Sequence, residues 1–125
     1  MSAANLAVRW AGRHAVVTLP EEIDLANAPE VHAGLLDVTK QDPELITADL
    51  TGTVFCDSAG IHVITRVHQE AEARGGELRL AVGDSPVARI LELTGLDQII
   101  RVFPGVQQSL DTPRAQPDGG PGPAR

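Results

Sequence analysis

The sequence predicts an α/β domain: a mixed, mostly parallel β-sheet of four to five strands, with an N-terminal antiparallel hairpin and about four covering helices. Three observations carry this. Short apolar runs with a period of two alternate along the chain with longer apolar stripes of helical period. The first two runs stand only a tight turn apart, the spacing of a hairpin. The chain has 125 residues and is 42% hydrophobic, enough for one core and not comfortably enough for two.

The elements follow in order. Leu6, Val8 and Trp10 alternate with Ala7 and Arg9, and Ala11-Gly12-Arg13 suits a turn. His14 to Leu19 is β-branched at its centre and stopped by Pro20, which makes it the second strand of the hairpin. The stretch Leu25 to Thr39 reads as a helix. Asp24 or Asn27 can cap it, Pro29 fits its first turn, and Val31, Leu35 and Val38 form its apolar stripe. Asp42-Pro43 breaks it. Leu45 to Leu50 is the next strand, loosened at Thr51-Gly52-Thr53 before Val54-Phe55-Cys56. A second helix runs from Ser58 or Ala59 to about Arg74, with Ile61, Ile64, Val67, His68 and Ala71 on one side and Gly75-Gly76 at its end. Glu77 to Val82 alternates as a strand, and Gly83-Asp84-Ser85-Pro86 leads into a short helix with Val87, Ile90, Leu91 and Leu93. A short strand is expected at Ile100 to Phe103 and a helical turn or two at Val106 to Leu110. From Asp111 onward proline and glycine dominate with few apolar residues, so 1–110 reads as the domain and 111–125 as a disordered tail.

Composition removes several classes of function. Net charge is −7 with no basic stripe, which disfavours nucleic acid and anionic membrane surfaces as partners. Aromatic residues are only Trp10, Phe55 and Phe103, too few for a base-stacking platform. Between Glu21 and Asp57 every charged side chain except Lys40 is acidic, so that face either aids solubility or meets a basic partner. Cys56 is the only cysteine, and no internal disulfide can form. No apolar run approaches the ~20 residues of a membrane span, and the N-terminus lacks the basic and apolar regions of a secretory signal. The expectation is a soluble, cytoplasmic protein.

Recognisable chemical motifs are few. No glycine-rich phosphate cradle is present, and His62 and His68 stand six apart, off the spacing that stacks metal ligands on one helical face. No metal site and no cofactor are expected. Ser58 has the strand–turn–helix setting of a nucleophile elbow. But Cys56 replaces the first glycine of that motif, and no histidine follows His68 to complete a triad. Catalysis by Ser58 or Cys56 is therefore not expected, and Cys56 reads as a small buried hydrophobe.

What remains is the junction Val54-Phe55-Cys56-Asp57-Ser58-Ala59-Gly60-Ile61. Asp57 or Ser58 can cap the second helix there. A helix N-terminus also tolerates an anion, so a phosphate on Ser58 would leave the fold intact while changing what docks beside Asp57.

Asp57-Ser58-Ala59-Gly60 between an apolar strand and an amphipathic helix resembles the D-S-[SAT]-G signature of STAS domains, among them the bacterial anti-sigma factor antagonists. Glu22-Ile23-Asp24-Leu25 with Ala28-Pro29 resembles the family's acidic segment. Gly75-Gly76-Glu77-Leu78 and Leu91 to Leu96 resemble two later motifs in the same order. The resemblance spans about Leu6 to Leu110. It implies a STAS-like fold and a non-enzymatic regulator that binds an anti-sigma factor serine kinase and so frees a sigma factor. The kinase supplies ATP and Mg²⁺. It implies Ser58 as the phosphoacceptor, a metal-dependent PP2C-type phosphatase that restores it, and a docking surface of Asp24, Asp57, Ser58, Ala59, Gly60 and His62. The other role open to the family is a subunit of a transport or signalling-scaffold complex without sigma-factor control. Two departures stand out: Glu21 where glycine is common, and Ala59 where many members carry a second hydroxyl.

Overall fold

The structure, a computed structural model, describes residues 6–114. Its strands are β1 (Ala7–Ala11), β2 (His14–Thr18), β3 (Glu22–Ile23), β4 (Leu45–Asp49), β5 (Phe55–Cys56), β6 (Glu77–Ala81) and β7 (Arg101–Phe103). Its helices are α1 (Ala28–Thr39), α2 (Ser58–Ala73), α3 (Val87–Thr94) and α4 (Val106–Leu110), with a 3₁₀ turn at Leu96–Gln98.

The main sheet has the order β1-β2-β4-β6-β7. β1 and β2 pair antiparallel, and the remaining pairs are parallel. Each parallel step is made by a crossover containing one helix, as parallel strands require. The expected mixed sheet with its opening hairpin is therefore present.

Strand alternation divides the interior. Ala15, Val17, Ile46, Ala48, Leu78 and Leu80 face α1, α2 and α3 and join Val31, Leu35, Val38, Ile64, Val67 and Leu91 in one core. The core is built from aliphatic side chains, as the scarcity of aromatics demanded. The other face carries Val16, Thr47 and Arg79, all buried. Here α4 covers the sheet, and the Thr47 and Ser109 hydroxyls share a hydrogen bond of 2.8 Å.

Four expectations about the elements need correction. β5 does not continue the main sheet. It pairs in parallel with β3, a strand the sequence reading left out, as a separate two-stranded sheet. Two residues per strand are too short to show a period, which is why β3 went unseen. The helix expected from Leu25 begins at Ala28, because Asp24 to Asn27 form a turn closed by the Ala28 N–H on the Asp24 carbonyl at 2.8 Å. β7 begins one residue after Ile100, which is buried.

Punctuation acts as anticipated. Asp42, three residues beyond the end of α1, turns the chain with a left-handed φ of 55°, and its carboxylate accepts from Arg74 at 3.0 Å. Gly75 takes φ +81° after α2, a conformation that favours glycine.

The segment expected as a tail lies partly among the described residues. Arg79 donates to the carbonyls of Ser109, Thr112 and Pro113, which holds 112–114 against the sheet. Residues 115–125 lie outside the described residues.

Candidate functional site

The site is assembled by the small β3–β5 sheet. Its register pairs Glu22 with Phe55 and Ile23 with Cys56. The next residues, Asp24 and Asp57, therefore emerge side by side at the carboxyl ends of two parallel strands. The Asp57 N–H donates to the Ile23 carbonyl at 3.1 Å, extending the pairing by one step.

Asp57, rather than Ser58, caps α2. It has extended φ/ψ, and its Oδ1 accepts from the N–H groups of Ala59 (2.9 Å) and Gly60 (3.2 Å). Its Oδ2 accepts from the Leu25 N–H at 3.2 Å. One carboxylate thus caps a helix and ties down the Asp24 loop.

Asp24 is occupied locally. Its Oδ1 accepts from Ala26 and Asn27 N–H at 3.0 and 3.1 Å, and its own N–H donates to Asn27 Oδ1 at 2.9 Å. The Asn27 amide donates to the Glu22 carbonyl at 2.7 Å. These contacts shape the loop that carries Leu25.

With Asp57 as the cap, the Ser58 hydroxyl is left over. Ser58 is the first residue of α2, is exposed, and has no side-chain hydrogen bond among the described residues. His62, one turn later, is also exposed. Together with Leu25, Ala59 and Ile61 these two line a shallow depression of about 470 Å³.

Gly60 lies beneath this surface and is buried. A Cβ there would stand 2.5 Å from Cys56 Sγ and 2.9 Å from Ile23 Cγ2. Its contribution is close approach of α2 to the β3–β5 sheet. Cys56 is buried as expected, and its thiol is pushed up to about 11, first by burial and then by the Asp57 charge. A thiol so protonated is a poor nucleophile at neutral pH.

The structure shows three apolar residues outside the expected docking set to be solvent-facing. Leu25 is 78% exposed, Val54 55% and Phe55 49%. The sequence places Leu25 in a helix and Phe55 at a strand end, positions with no local mark of exposure. Of the three, Leu25 lines the depression beside Ser58. The exposed carboxylates Glu21 and Glu22 flank them.

The family model of the STAS domain matches residues 5–109. The chain belongs to the STAS domain family. The anti-sigma-B factor antagonist of Listeria monocytogenes is 29% identical over 89 residues, covering 71% of this chain and 78% of that protein. An anti-sigma factor antagonist from Mycobacterium paratuberculosis has the same fold, with a TM-score of 0.78 at 23% identity over 88% of this chain and 96% of its own. The phosphorylated form of the Bacillus cell fate determinant SpoIIAA also shares it, with a TM-score of 0.65 at 21% identity over 85% of this chain and 96% of its own. Among the described residues no helix of this STAS domain is long and apolar enough to cross a membrane.

Proposed function

We propose that this STAS domain is an anti-sigma factor antagonist, a cytoplasmic regulator without catalytic activity of its own, switched by phosphorylation of Ser58. In this reading the unmodified surface around Asp24, Asp57, Ser58, Ala59 and His62 docks on an anti-sigma factor that is also a serine kinase, and a sigma factor is released. Gly60 supports that surface from below. The observation that carries the reading is the free, exposed Ser58 hydroxyl beside a carboxylate that already caps α2.

The kinase transfers the γ-phosphoryl group of ATP to Ser58 Oγ, and the serine proton passes to a base on the kinase. The kinase holds the Mg²⁺. Phosphoserine adds about −1.5 to −2 charge. The N-terminus of α2 tolerates that charge, so the fold persists. Docking does not, because the new anion lies beside Asp57 within a surface that must be desolvated against the partner. Truncating or opposing one charge in such an interface costs about 2–5 kcal/mol, a loss of roughly 30-fold or more in affinity. A PP2C-type phosphatase hydrolyses the ester and resets the switch. Phosphorylation of a protein with this fold, SpoIIAA, lends the reading support.

The test is incubation with candidate anti-sigma kinases and ATP, followed by mapping of phosphate by mass spectrometry. The expected result is one phosphate at Ser58, none in Ser58→Ala, and kinase binding retained by Ser58→Ala. Binding of phosphorylated protein as tight as that of unmodified protein would show the switch to be wrong.

A further inference from the structure

A second concave surface lies between α1 and α2, with a volume of about 540 Å³. His32 and Leu36 line it from α1, and His62, Thr65, Arg66, Gln69 and Glu70 from α2. His62, Arg66 and Gln69 recur at helical spacing and form one stripe.

The polar groups of this groove are mostly donors without partners. Arg66, His32, His62 and Gln69 make no side-chain hydrogen bond or ion pair among the described residues. Glu70, the only carboxylate in the lining, is already held by Arg74 at 2.9 Å. Thr65 spends its proton on the Ile61 carbonyl at 2.9 Å. A chain of net charge −7 therefore concentrates a guanidinium and two imidazoles in one hollow whose single acid is turned to Arg74, which it shares with Asp42.

We propose that the α1–α2 groove binds a compact oxyanion, either free phosphate or sulfate or the phosphate group of a small metabolite. Arg66 supplies the permanent charge and a planar fork of N–H donors. His32 faces it from α1, and His62 and Gln69 stand one turn to either side along α2. A metal ion is disfavoured because Arg66 repels cations beside the only two imidazoles. A nucleic acid or anionic membrane is disfavoured because the acidic remainder of the surface repels an extended polyanion. The volume falls within the range of about 300–1,000 Å³ common for small-molecule sites. The inference does not depend on phosphorylation of Ser58, although His62 borders both hollows.

The charged and titratable groups facing the groove are His32 from α1 and His62, Arg66 and Glu70 from α2. Burial, and then the Arg66 charge, hold the His32 imidazole below its ordinary pKa. An anion placed between them screens that repulsion, so binding takes up protons and tightens as pH falls.

The test is NMR titration of the full chain with sulfate, whose charge is constant through neutral pH. Saturable shifts are expected at the His32 and His62 imidazoles and the Arg66 side chain, growing stronger as pH falls through the range in which imidazole takes up a proton. Arg66→Gln should weaken binding about tenfold or more. His32→Gln should flatten the pH dependence. Both side chains are at or near the surface, so both variants should keep the wild-type circular dichroism spectrum. Equal sulfate affinity in Arg66→Gln overturns the proposal. So do shifts that fail to saturate with both sulfate and glycerol 3-phosphate, or shifts confined to Ser58–Gly60 at the start of α2. A parallel arm with glycerol 3-phosphate tells a bare ion from an organic monoester, and saturable binding of either supports the site.

Discussion

Arg79→Met tests the reasoning about the second face of the sheet. Arg79 is 0% exposed, yet its guanidinium is fully engaged. Nε and Nη2 donate to the Glu77 carboxylate at 3.0 and 3.4 Å. Nη1 donates to the Ser109 and Thr112 carbonyls at 2.6 Å each, and Nη2 to Pro113 at 2.8 Å. The group also lies 5.3 Å from the centre of the Phe103 ring. Methionine conserves most of the volume but removes every donor. Glu77 keeps Arg101 and Arg114 at 3.7 and 3.8 Å, so it is not stranded. The Thr112 and Pro113 carbonyls can turn to water once released, whereas the Ser109 carbonyl is left against a buried residue. Breaking a buried pair costs about 3–5 kcal/mol, and the partial rescue of Glu77 sets the expectation at the lower end, ~3 kcal/mol. For a domain of this size that lowers Tm by about 10 °C or more. Urea unfolding followed by far-ultraviolet circular dichroism measures the loss. Hydrogen exchange should show faster exchange first at α4 and 112–114. Arg79→Lys should recover only part of the loss, because one ammonium cannot reach Glu77 and three carbonyls together. A loss below about 1 kcal/mol in Arg79→Met, or full rescue by lysine, would refute the claim that this guanidinium holds the C-terminal strap.

Gly60→Ala places a Cβ 2.5 Å from Cys56 Sγ and 2.9 Å from Ile23 Cγ2, and overpacking of this kind costs about 1–3 kcal/mol despite alanine's better helix propensity. The double variant Gly60→Ala, Cys56→Ala should be more stable than the sum of the two single losses, as chemical denaturation of all three can determine. Asp57→Ala removes the α2 cap and the anchor of the Leu25 N–H, with an expected loss of about 1–2 kcal/mol by thermal unfolding and increased exchange at Leu25. Asp57→Asn should recover much of it, since an amide oxygen can still accept. Burial raises the Cys56 thiol from 9.0 to about 11, so the folded state favours the protonated form. That stabilisation is complete below the unfolded pKa and is lost as pH rises through the folded value. Stability should therefore fall between these two pH values in the native protein and fall less in Cys56→Ala.

Much of the fold was legible because its elements are long enough to show their period. The stripe of Val31, Leu35 and Val38 and that of Ile64, Val67 and Ala71 mark faces that are buried in the structure. Other features depended on contacts between distant parts of the chain. Glu77 to Ala81 alternates like a strand with one wet face, but α4 and residues 112–114 cover that face and bury Arg79. No local pattern announces that three carbonyls 30 or more positions away will meet a guanidinium. β3 is two residues long and is a strand only because β5 lies beside it.

The candidate site divides in the same way. Sequence placed a carboxylate and a hydroxyl at the start of α2 and removed metal, nucleotide and triad chemistry from consideration. It left open which of Asp57 and Ser58 caps the helix, since either residue type can. Tertiary structure decided that point: Asp57 Oδ1 caps α2 while its Oδ2 reaches across the β3–β5 junction to accept from the Leu25 N–H. The same packing exposes Leu25 beside Ser58 and buries Gly60 under it. Sequence alone determined the long elements and the chemistry that α2 could carry, because both follow from local periodicity and residue type. Which hydroxyl is free, and what surrounds it, required the two short strands to meet, because that contact joins residues more than 30 positions apart.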